Sequence, residues 1–176
     1  MKKIILAVFA ASSLLLYSTP SFAISLSVGV PIGASIKNEA GSEVADGASG
    51  YFLGVQLPFG LGLGMDSHKT KFKDDSTLKV ATSMYNLYYQ LPVPVVSLIL
   101  GLGTGNSNFD CPGCAEVFDK GAATQWYTSI GFPIIPFFDI HLSYRSITAK
   151  NIEDKGDGTK ADNSGSVTGL GLAFNF

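Results

Sequence analysis

Apolar and polar side chains alternate with a period of two along most of the chain. The stretch 164–176 reads SGSVTGLGLAFNF, and from residue 169 its leucines and phenylalanines occupy one face while glycine, alanine and asparagine occupy the other. This alternation is typical of a β-strand. An apolar strand at an open sheet edge promotes aggregation, whereas a closed barrel in a membrane has no such edge. The pattern therefore favours a membrane barrel.

The same alternation predicts eight strands. Their approximate bounds are 24–33, 49–58, 61–71, 78–91, 95–106, 120–132, 137–149 and 164–176. Short, uncharged connections rich in proline alternate with long, charged ones, and proline marks strand ends because it cannot donate a ladder hydrogen bond. An even number of strands then puts both termini and all short turns at one end. The sequence predicts an all-β, up-and-down, antiparallel transmembrane barrel.

The distribution of charge distinguishes this barrel from a soluble, lipocalin-like one. Residues 24–176 contain 10 Lys+Arg and 14 Asp+Glu, and 21 of these 24 charges fall in the clusters 37–46, 69–79, 110–120 and 150–162. Only Asp66, Asp139 and Arg145 lie within alternating segments. A soluble barrel needs charged residues along its strands, so the apolar face is expected to contact lipid. The net charge of −4 also argues against nucleic-acid binding, which requires a basic surface.

The N-terminus has the pattern of a cleaved signal peptide. Lys2 and Lys3 precede an apolar run over 4–16, and Ser21-Phe22-Ala23 offers a small-x-small cleavage site. The apolar run is too short to span a bilayer comfortably. We therefore expect a signal peptide over 1–23 and one barrel domain over 24–176.

In this architecture the chain resembles the small eight-stranded outer-membrane proteins of Gram-negative bacteria, represented by OmpX, NspA and the membrane domain of OmpA. That family's C-terminal assembly signal is a polar residue, x, Gly, x, x, apolar, x, aromatic. Gly171, Phe174 and Phe176 match it, whereas Gly169 departs from its polar position. The resemblance implies a monomer without a cofactor, inserted by the barrel-assembly machinery. It would contact outer-membrane lipid and lipopolysaccharide, with its loops outside the cell and its termini in the periplasm.

The polar residues predicted to face the lumen form one candidate cluster: Asp66, His68, Asp139, His141 and Arg145. The third and seventh of eight strands face each other across a barrel, so Arg145 is expected to pair with Asp66 and satisfy two costly buried charges. This predicts a hydrogen-bonded plug that fills a narrow lumen. The alternative is a metal or proton-relay site that uses His68 and His141.

Both cysteines lie in the third charged connection, as Cys111-Pro112-Gly113-Cys114. An exported protein meets an oxidising compartment, so a local disulfide is the simplest interpretation. A redox pair would need a helix N-terminus to lower the thiol pKa, and the segment has no helical periodicity. A zinc site would need two more ligands nearby, so no metal site is predicted.

A catalytic alternative rests on His141-Leu142-Ser143, which is similar to the His-x-Ser of the lipid A deacylase PagL. Tyr144 replaces the asparagine that follows in that family, and Glu153 is only a loose candidate for its acid. His141 and Ser143 also share the predicted lumen face rather than the lipid face. We therefore expect no enzyme and no catalytic residue.

The predicted role in the cell envelope is structural or surface-interactive, and the alternative is a porin-like, narrow transport pathway, as in OmpW-like barrels.

Overall fold

The structure is a computed structural model that describes residues 24–38, 41–73, 77–93, 95–156, 158 and 160–176. The predicted signal peptide, 1–23, lies outside these residues and stays a prediction. In the described part of the chain, no helix combines the length and apolarity that crossing a bilayer requires.

Nearly all of the described chain is β-strand. The strands are β1 (Ser25–Asn38), β2 (Gly41–Val44), β3 (Ala48–Gln56), β4 (Leu61–Lys71), β5 (Lys79–Leu91), β6 (Ser97–Asp110), β7 (Gly121–Ile135), β8 (Phe138–Glu153) and β9 (Lys160–Asn175). One four-residue helix, α1 (Cys114–Val117), lies between β6 and β7, and a 3-10 turn covers Pro58–Gly60.

Eight of these strands form a closed antiparallel barrel. Each pairs with its neighbour in the order β1, β3, β4, β5, β6, β7, β8, β9, and β9 pairs back onto β1. The closing register runs from Ser25 opposite Asn175 to Lys37 opposite Ser164. This confirms the predicted eight-stranded all-β barrel. Its short connections lie at one end, called the short-turn end, and its long connections lie at the other, called the long-loop end.

Several strands continue further towards the long-loop end than the sequence indicated. β1 runs to Asn38, β6 to Asp110 and β8 to Glu153, where ends near 33, 106 and 149 were predicted. β2, which pairs only with the far end of β1, was not predicted at all. Backbone ladders do not depend on side-chain polarity, so polar residues continue the strands once neighbouring backbones are aligned.

Two of the long connections are hydrogen-bonded to the ends of neighbouring strands. The Asp46 amide donates to the Lys71 carbonyl at 3.1 Å, and the Lys71 amide donates to the Gly47 carbonyl at 3.0 Å. On the other side of the barrel, the Asp119 amide donates to the Glu153 carbonyl at 2.9 Å. The first connection is therefore tied to the end of β4, and the third is tied to the end of β8.

Candidate functional site in the barrel interior

An ion pair crosses the middle of the lumen. Asp66 extends inward from β4 and Arg145 from β8, and Arg145 Nε donates to Asp66 Oδ2 at 2.9 Å. Asp66 is 1% exposed and Arg145 is 6% exposed. Such deep burial is costly for a single charge, so each residue depends on the other. The two opposite walls are thus joined by one charge-assisted hydrogen bond.

Two amides extend this pair into a network. Gln125 Nε2 donates to Asp66 Oδ2 at 2.6 Å and also to Asn86 Oδ1, while Arg145 donates through Nη1 to Ser143 Oγ. All five side chains are buried. The network therefore links strands β4, β5, β7 and β8 around one carboxylate.

Aromatic rings enclose the guanidinium. Its central carbon lies 3.6 Å from the centroid of the Phe52 ring and 5.0 Å from that of Tyr127. Tyr127 in turn meets Tyr88 edge-on, with centroids 6.3 Å apart. Cation–π contacts of this kind strengthen when water is excluded. Tyr88 lies on the inward face of β5 and is 5% exposed, so it belongs to the packing of the lumen.

A second polar group lies nearer the short-turn end. Ser97 Oγ donates to Asp139 Oδ2 at 2.9 Å, and His141 Nε2 lies 3.8 Å from the same oxygen. Ser129 Oγ lies 3.3 Å from His141 Nδ1. Among the described residues, Nε2 of His141 has no hydrogen-bond partner. Of this group, Ser129 and His141 border a cavity of about 60 Å³, which Arg145 also lines.

His68 lies on the opposite side of the central pair. It borders a separate cavity of about 30 Å³, whereas His141 borders the larger one. The structure therefore does not bring the two histidines together, and the alternative two-histidine site is not formed. In the ranges that the structure covers, no three His, Cys, Asp or Glu residues are grouped so that they could hold a metal ion.

The cysteines lie outside the barrel, at the long-loop end. The sulfur atoms of Cys111 and Cys114 lie near disulfide distance, with Cα atoms 5.2 Å apart, and the disulfide itself stays a prediction. Nearby, the rings of Phe109 and Phe118 meet edge-on at 5.2 Å. The pair thus lies beside a small aromatic contact between the end of β6 and the segment that follows α1.

The residues of the predicted assembly signal lie at the closing strand. Phe174 packs between two rings, with centroids 4.6 Å from Phe138 and 4.3 Å from Phe176. The backbone of Gly171 lies against Val28 and Gly29 of β1. These contacts hold β9 against β8 and β1, and the role of the segment in assembly stays a prediction.

The fold was compared with known proteins. No protein-family model matches the chain, and no curated protein sequence matches it. Among solved structures, Neisserial surface protein A (NspA) superposes with a TM-score of 0.64 at 14% identity, covering 89% of this chain and 98% of that one. The N-terminal β-barrel domain of Pseudomonas aeruginosa OprF gives 0.53 at 10% identity, covering 88% and 98%.

A third similar structure is Ail, the attachment invasion locus protein of Yersinia pestis, solved with the heparin analogue sucrose octasulfate. It superposes with a TM-score of 0.51 at 19% identity, covering 88% of this chain and 98% of that one. Identities this low establish shared fold and nothing finer. The chain has the fold of the small eight-stranded outer-membrane barrels.

Proposed function

We propose that the protein is a closed outer-membrane barrel with a structural or surface-interactive role. The observation that carries this proposal is the Asp66–Arg145 pair, which joins opposite walls in the middle of the lumen. A conducting pore needs a continuous aqueous path, and this pair lies across that path. The protein's activity would then reside on its outer surfaces rather than in transport.

The space left in the lumen supports a closed interior. Two cavities, of about 60 and 30 Å³, flank the central network. They are too small for a metabolite, since ligand sites usually measure hundreds of cubic ångströms. Polar side chains among their lining residues, such as Ser129 and Thr82, suit a few ordered waters instead.

Planar-bilayer recording tests this proposal against the alternative of a narrow transport pathway. The refolded protein is added to a phosphatidylcholine bilayer, with an established porin as the positive control and buffer with detergent as the blank. We expect no unitary current steps above the blank. Reproducible current steps whose frequency rises with protein concentration would overturn the proposal of a closed lumen and favour a pathway for small solutes.

Our proposal assigns no catalytic role to the interior. Ser143 Oγ donates to the Gly169 carbonyl and accepts from Arg145, while His141 contacts Ser129 instead. A PagL-like mechanism needs the histidine within reach of the serine that attacks the lipid. We expect no deacylated product when the protein is incubated with lipid A, and a product that is lost in a Ser143→Ala variant would refute this.

We further propose that the long connections face the outside and that the barrel works as a monomer. Most of the charges lie at the long-loop end, and outer-membrane barrels usually have short periplasmic turns and longer extracellular loops. Barrel-assembly machinery would insert the chain. An epitope inserted at Gly156 should be labelled on intact cells, and one inserted after Val93 only after permeabilisation. The reverse labelling pattern would show the opposite orientation.

A further inference from the structure

The lipid-facing apolar run is short on most strands, although along β1 it extends from Ile24 to Ile32. On β8 it extends from Phe138 to Tyr144, and the outward side chains that follow are Ser146 and Thr148. Most other strands behave alike. The hydroxyl residues that end their runs are Ser49 on β3, Ser67 on β4, Ser83 on β5, Thr104 on β6 and Thr168 on β9. The apolar wall therefore ends at nearly the same level around the barrel.

This run is shorter than a bilayer needs. A strand that crosses a membrane usually has about 9–11 residues, whereas the apolar run on β8 has about seven. At about 3.3 Å per residue and a tilt of about 40°, that run covers on the order of 15–18 Å of membrane thickness. The apolar band of outer-membrane barrels is about 25 Å tall. The wall alone leaves several ångströms of hydrocarbon unmatched.

The short-turn end is itself apolar. Its turns expose Phe59, Val95 and Phe137, which are 67%, 84% and 59% exposed. The sequence around these turns, 51–65, 80–109 and 121–138, contains no charged residue. Turns in contact with water normally carry polar residues, glycine or asparagine. The apolar surface thus continues from the wall over this end.

Two of these turn residues also adopt an unfavourable backbone conformation. Phe59 has φ of 73° and Val95 has φ of 78°, the region that favours glycine and asparagine. For a β-branched residue such as valine, this conformation is a true outlier. Strain of this kind persists where another interaction offsets it, and contact with lipid would offset it for an apolar side chain.

We propose that the short-turn rim lies in the boundary between lipid headgroups and acyl chains. The rim consists of Leu57, Phe59, Val93, Val95, Ile134 and Phe137, all exposed apolar side chains. Water in the headgroup region satisfies the turn backbones, so the turns need not enter dry hydrocarbon. The rim lengthens the membrane contact of a short wall. This inference rests on the barrel lying in a membrane, but not on a closed lumen or on which side the long loops face.

Tryptophan fluorescence tests the position of the rim. Trp126 is the single tryptophan, so a Trp126→Phe background is silent, and Val95→Trp or Phe137→Trp then reports on one turn. Val44→Trp, at the long-loop end and 75% exposed, is the matched control. Each protein is refolded into phosphatidylcholine vesicles with or without brominated acyl chains. Heat-modifiable gel mobility selects folded samples.

We expect both turn tryptophans to emit at shorter wavelength than the control and to lose most of their emission in brominated lipid. Aqueous iodide should quench the Val44→Trp control and leave the turn variants nearly unchanged. Iodide quenching of either turn variant that equals the control overturns the proposal. A blue-shifted turn tryptophan that ignores bromine also overturns it, because protein, such as a second copy of the chain, would then cover the rim.

Discussion

Replacing Arg145 by methionine tests whether the central ion pair holds the barrel together. Methionine keeps most of the stem but removes the charge, so Asp66 stays buried with Gln125 as its remaining donor. Breaking a buried pair from one side costs about 3–5 kcal/mol. The contact with the Phe52 ring, at 3.6 Å, adds up to about 2 kcal/mol, although the two effects overlap. We expect the free energy of unfolding to fall by about 4 kcal/mol.

Urea unfolding in lipid vesicles, followed by Trp126 fluorescence, measures this loss. Lys150→Met is the matched control, because it removes an exposed cation from the same strand and should change stability by less than about 0.5 kcal/mol. The double variant Asp66→Asn with Arg145→Met leaves no unpaired charge. Its loss should be smaller than the sum of the two single losses by about 2 kcal/mol. A loss for Arg145→Met no larger than the control's, or strict additivity, would refute the reasoning.

Two further predictions concern the lumen and the long-loop end. Gly101→Ala should lower the free energy of unfolding by about 1–3 kcal/mol, because the added methyl collides with the Tyr127 ring. Gly33→Ala, whose methyl meets open space, is the control, and equal losses would contradict the packing argument. The Lys69 ammonium, bonded to Asp110 at 2.6 Å, lowers the pKa of the Asp110 carboxyl. This ion pair therefore stabilises the fold fully above the ordinary pKa of an aspartate, and the stabilisation is lost as pH falls through the lowered pKa of Asp110. Urea unfolding measured across pH should show that the Asp110→Asn variant loses less stability in acid than the original protein, by less than about 1 kcal/mol. An unchanged pH profile of stability would count against this prediction.

Charge was the most informative signal for the interior. Charged residues are rare in these strands, so Asp66 and Arg145 stood out, and strand order alone placed them on opposite walls. Gln125 and Asn86 were missed for a physical reason. A narrow lumen is filled by large side chains of any polarity, and the inward face of β5 includes Met84 and Tyr88. Both faces of that strand are then partly apolar, and the period-two contrast disappears.

The positions at which strands end on the long-loop side also could not be predicted from the polarity pattern of the sequence. Outside the membrane, neither face of a strand contacts lipid, so polar and apolar residues no longer alternate. A charged segment there is predicted to be a loop even where the strand pairing continues. The segment Ala149–Glu153 shows this, because it pairs with β9 across an irregular register. The separation of His68 from His141 could not be predicted either. Both face inward, but their heights along the barrel depend on the stagger between strands, which one sequence does not reveal.

The pairing of β9 with β1 has a consequence for the order of folding. Every other barrel pairing joins strands that are close in sequence, whereas this one joins Ser25 to Asn175. A contact across such a long separation costs the most chain entropy, and it is rewarded only when the intervening hairpins are already in place. Until then, β1 keeps an unpaired edge that can capture another chain. The time during which the β1 edge stays unpaired would then determine how long a newly made chain needs a chaperone to prevent aggregation. The stability of the finished barrel would not determine it.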